Sequence, residues 1–111
     1  MEGFIDYLTG RIDSCREETA NLEKEGRHDD ADFSKVRTNI YDACRSVTNA
    51  LKDRPGAGAE AVEKQFARFR ATWGDALEKA REHGDAKNTV VEEIKLETLS
   101  DVFARFEEAV K

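Results

Sequence analysis

The sequence predicts an all-α protein, an antiparallel up-down-up-down four-helix bundle, and three observations carry that prediction. Apolar residues recur at steps of three and four through most of the chain, and no comparable stretch alternates as a strand would. Glycine and proline cut this pattern into four segments, each roughly six turns long. The breaks are short, which makes consecutive helices antiparallel neighbours.

The first helix is predicted over residues 3–25, with Ile5, Leu8, Ile12, Cys15, Thr19 and Leu22 on one face and Gly26 as its stop. Asp29-Asp30-Ala31-Asp32 opens the second, near residues 30–53, where carboxylates suit the positive end of the helix dipole. Its stripe is Phe33, Val36, Ile40, Cys44, Val47 and Leu51, and Pro55 in Arg54–Gly58 closes it because proline cannot continue the hydrogen-bond ladder. The third, near 59–83, carries Val62, Phe66, Phe69, Trp73, Leu77 (or Ala76) and Ala80, and stops at Gly84. Thr89-Val90-Val91-Glu92 reads as a capping box, hydroxyl first and Glu three residues on, opening a fourth helix near 89–110. That helix presents Leu96, Leu99, Phe103, Phe106 and Val110.

Phe66-Ala67-Arg68-Phe69 recurs as Phe103-Ala104-Arg105-Phe106. Folding the third and fourth stripes symmetrically about Ala86 sets Phe66 opposite Phe106 and Phe69 opposite Phe103. The same construction centres the second and third helices on Gly56–Ala57, and the first and second between Arg27 and His28. Each centre falls in a turn identified independently. The expected layers are Leu8, Val47, Phe66 and Phe106; then Ile12, Cys44, Phe69 and Phe103; then Cys15, Ile40, Trp73 and Leu99. The repeated motif is therefore read as packing, with its Ala and Arg facing outward.

At 111 residues the chain fits one domain, residues 1–111, large enough to bury a real core. A net charge of −6, with basic and acidic residues interleaved, argues against nonspecific binding to nucleic acid or to an anionic membrane. Residues 1–10 lack a basic region and an apolar run, so no secretory signal is predicted, and cytoplasmic is the economical location. Two distant cysteines give no metal or redox spacing.

Cys15 and Cys44 are expected to be small buried hydrophobes one layer apart. Glu25-Gly26-Arg27-His28 matches a Glu-x-x-His metal motif in form, but Gly26 places it at a helix end, and no acid or histidine falls in the central stripes. His28 and His83 flank turns in two similar stretches, LEKEGRHDDA and LEKAREHGDA, where they are expected to favour helix C-termini. The Asp29, Asp30 and Asp32 cluster is read as capping. No phosphate loop, activated nucleophile or inward carboxylate pair is present in the pattern, so no cofactor and no enzyme activity are expected.

Two surfaces stand out. Ala67, Ala71 and Gly74 line the side of the third helix opposite its stripe, a candidate helix-contact face flanked by Glu63, Lys64, Asp75 and Glu78. Val91, Ile94 and Val102, with Tyr7 or Tyr41, form a candidate dimer patch, unless the fourth helix is simply more buried. The function expected is a non-enzymatic protein–protein interaction or self-association module, with a protein partner or a homodimer. The alternative is a small-ligand-sensing bundle whose pocket lies among Cys15, Tyr41, Phe69 and Trp73.

Overall fold

In the computed structural model, which describes residues 1–111, the four periodic segments are four helices: α1 (Glu2–Lys24), α2 (His28–Leu51), α3 (Gly58–Glu82) and α4 (Ala86–Ala109). There is no strand. The helices pack as a bundle, and its cross-section is a rhomb. α1 lies against α2 along its length, α3 lies chiefly against α4, and α2 and α4 form the short diagonal. The backbones of α1 and α3 do not approach each other. The outcome is a slab of 46 × 34 × 20 Å. Its radius of gyration, 15.1 Å, exceeds the roughly 13 Å of a compact chain this long.

The turns follow from local chemistry. Gly26 and Gly84 both adopt positive φ, +75° and +65°, just past a helix end. Arg27 N–H then donates to the Leu22 carbonyl and Asp85 N–H to the Ala80 carbonyl, both at 2.9 Å, closing two Schellman motifs. Gly58 is required for a different reason: a Cβ there would collide with the Lys52 carbonyl.

Two helix starts differ from expectation. α4 begins at Ala86, because Asp85 is its cap: its Oδ1 accepts from Asn88 N–H at 3.1 Å. Thr89 is therefore inside the helix, its hydroxyl donating to the Asp85 carbonyl at 2.8 Å, and Glu92 is released from a capping role. α2 begins at His28, which places that histidine at a helix N-terminus, with Asp29 and Asp30 in the first turn.

The core is tightest at the end holding the chain termini and the α2–α3 turn. Phe4, Leu8, Val62, Phe66 and Phe106 are almost fully buried there, with Phe4 5.4 Å from Phe106 and Phe66 5.6 Å from Phe106 between ring centroids. Phe66 also meets Phe103 edge-on at 5.7 Å, so the two repeated motifs do lie side by side. Ala67, Arg68, Ala104 and Arg105 are exposed. Phe69 departs from its expected layer: it is half-buried and stacks on Trp73 at 4.9 Å within α3.

The flank of α2 turned to α1 carries small or polar residues that the apolar stripe omitted. Ser34 and Thr48 are fully buried, and Tyr41 is 2% exposed. All three hydroxyl hydrogen-bonding needs are met. Ser34 Oγ donates to the Cys15 carbonyl at 3.1 Å across the helix pair, Thr48 to Cys44 at 2.7 Å, and Arg11 Nε donates to the Tyr41 hydroxyl at 3.3 Å.

Candidate functional site

The residues singled out by the sequence fall in several places. Ala67 and Ala71 are exposed and Gly74 is half-buried, with open space where a Cβ would stand. That face of α3 is open. Val91, Ile94 and Val102 do not form a free patch. Ile94 and Val102 are buried because α4 touches all three other helices, so a wide arc of it is enclosed. Tyr41 is buried with them, whereas Tyr7 is half-buried and meets Tyr41 edge-on at 6.4 Å.

Cys15 and Tyr41 belong to the buried core, and Phe69 and Trp73 pack against it from α3 without being enclosed. Tyr41 turns toward Arg11 and Tyr7 of α1, whereas Phe69 and Trp73 stack on each other on α3, across the long diagonal. Lys95 of α4 lies over the Trp73 ring, its Nζ 5.8 Å from the centroid.

Both cysteines are free and buried. Burial pushes the Cys44 thiol up to about 12 and raises Cys15 as well. Both are therefore protonated at neutral pH, which makes them poor nucleophiles. Nowhere do three His, Cys, Asp or Glu side chains converge in a metal-binding arrangement.

The most distinctive region is the end of the bundle at the α1–α2 and α3–α4 turns. α2 touches α3 less than it touches α4, and the bulk of α3 is held by α4. Beyond the phenylalanine cluster, Phe33 and Val36 of α2 and Phe69, Trp73 and Leu77 of α3 are only half-buried. Two depressions open here. One, about 410 Å³, is bounded by Ala76, Lys79, Ala80 and His83 of α3 and its cap, and by Asp85, Asn88 and Glu92 of α4. The other, about 330 Å³, lies between the first turns of α2 and α4 and is lined by Asp29, Asp32, Phe33, Ala86 and Lys87.

Glu92 is the feature the sequence hid. Its side chain is only 12% exposed, and Oε1 pairs with Lys95 Nζ at 2.9 Å. Oε2 is buried with no hydrogen-bond partner. The stripes placed no acid inside, because Glu92 was assigned to a capping box. The signal available was Asp85, a better cap preceding the helix by one residue.

No family model, no curated protein and no solved structure matches this chain.

Proposed function

We propose that this protein is a non-enzymatic protein–protein interaction or self-association module of the cytoplasm, whose working surface is the side where α2 and α3 meet with little contact. One observation carries this reading. Phe33 and Val36 of α2 and Phe69, Trp73 and Leu77 of α3 stay half-buried, while core side chains such as Phe66 and Leu8 are at 0% exposure. Covering such a row removes apolar surface from water, at about 25 cal/mol per Å². An amphipathic helix laid between two helices is a common way to do so. The chain's net charge of −6 opposes pairing of two copies. Self-association through this row is therefore driven by apolar contact and strengthens with added salt, which screens the repulsion.

Sedimentation velocity over a wide concentration range, with affinity capture in parallel, tests this. Leu77→Glu places a charge in the row and is expected to abolish concentration-dependent association or the binding of a captured partner. A monomer at every concentration, with identical captured proteins for wild type and Leu77→Glu, would refute the reading. Ala71→Glu in the same experiment tests the open face of Ala67, Ala71 and Gly74 as a second contact surface.

A small-ligand-sensing bundle with a pocket near Trp73 is the alternative, supported by the Lys95 ammonium over the half-buried Trp73 ring. Trp73 emission that responds to a metabolite mixture favours it.

A further inference from the structure

Among buried side-chain nitrogen and oxygen atoms, Glu92 Oε2 stands alone in having no hydrogen-bond partner. The buried hydroxyls of Ser34, Thr48 and Thr98 all donate to backbone carbonyls. A carboxylate oxygen left unpaired costs free energy and calls for a cause. The 410 Å³ depression beside it supplies one, because Glu92 forms part of its wall. We infer that this depression, at the α3–α4 turn, is a binding site for an organic ammonium or guanidinium group held by the Glu92 carboxylate.

The surrounding groups favour a cation with N–H donors. Asp85 adds a second carboxylate to the wall, and its oxygens hold Asn88 in place by accepting from its backbone N–H and its side-chain amide. His83 Nδ1 stands 2.7 Å from the Lys79 carbonyl and donates to it, which leaves Nε2 facing outward. A metal ion is a poorer fit, since no three ligating side chains converge. The terminal torsion of a Glu side chain is soft, so its carboxylate can turn Oε2 toward an incoming donor, sharing the charge that Oε1 now gives to Lys95. Lys79 lines the same depression without an ion pair and is the natural competitor of the ligand. The group can come from a free amine or from a Lys or Arg side chain of a peptide. This inference does not depend on the apolar row of α2 and α3.

The test is a titration of the whole chain with n-butylammonium, with a short helical peptide carrying one lysine, and with tetramethylammonium, which has no N–H. Backbone amide NMR shifts of residues 76–92 and Trp73 emission are the readouts. The expected result is saturable shifts with n-butylammonium or the peptide, none with tetramethylammonium, and at least tenfold weaker binding in Glu92→Gln. Lys79→Gln should tighten binding. Response to the peptide alone assigns the cation to a protein partner, and an equal response to the free amine assigns it to a small molecule. Far-ultraviolet circular dichroism verifies that Glu92→Gln still folds. No saturable shift with either N–H probe, or unchanged affinity in a folded Glu92→Gln, overturns the inference.

Discussion

The two hairpins of this bundle end in the same Schellman turn but pack differently. α1 and α2 approach closely enough for Ser34 to bond the Cys15 carbonyl of the opposite helix, and Ala31, Ser34 and Thr48 leave room for it. α3 and α4 meet through Phe66, Phe103 and Phe106, and Phe69, Trp73 and Leu77 farther along α3 are only partly covered. Side-chain size at the contact sets interhelical distance. Small residues line the α1–α2 contact, large rings fill the α3–α4 contact, and α2 touches α3 less than it touches α4. The half-covered apolar row lies on the α2 and α3 side, whereas Glu92 belongs to the depression between α3 and α4.

The comparison can be broken most severely at its shared anchor. Phe66→Ala removes the ring that joins Phe4, Phe103 and Phe106, and should cost about 3–5 kcal/mol in urea unfolding. Phe69→Ala should cost less, about 1–2 kcal/mol, since that ring is only partly buried. Ser34→Leu attacks the α1–α2 contact by overpacking and should cost about 1–3 kcal/mol, read the same way. If Phe69→Ala proved as damaging as Phe66→Ala, α2 would have to cover the row.

A pH titration sharpens the contrast with smaller effects. The thiol of Cys44 in the fold is raised, by burial, above its unfolded value, to about 12, and Tyr7 is raised, chiefly by burial, to about 12. For such groups the folded state prefers the protonated form, so their stabilisation is complete below the unfolded values and is lost as pH rises toward 12. The urea midpoint should hold steady to about pH 9 and fall above it. Replacing Cys44 with Ala should flatten that fall. Smallest of all, Gly74→Ala should stabilise by up to about 1 kcal/mol, because a Cβ there meets nothing and α3 gains helix propensity. Ala at Gly84, where φ is +65°, should destabilise by about 1 kcal/mol instead.

The sequence made the four helices legible through strong periodicity and turn glycines, and the pairing of Phe66 with Phe106 followed from the position of the turn. Helical wheels are blind to side-chain size, however. They place one apolar stripe per helix, and so the stripe of α2 passed over Ser34, Thr48 and Tyr41, which α1 covers. Phe4 was also outside the first stripe, although the aromatic cluster rests on it. Glu92 escaped for another reason. Thr89 offered a plausible cap, and only the geometry of Asp85 with Asn88 shows that the helix starts earlier and that Glu92 faces in. Of the proposed surfaces, the Ala67, Ala71 and Gly74 face was readable as a face, whereas its openness depends on packing no single helix encodes.

Trp73 is the sole tryptophan and is part of the half-buried row, so acrylamide quenching of its emission in dilute protein reads how far α2 leaves that row uncovered. Partial quenching, between that of free indole and that of a sealed core, is predicted, and it should diminish when the row is covered by association. A tryptophan fully shielded in the dilute monomer would mean that α2 and α3 lie closed along their whole length, contradicting the half-covered row.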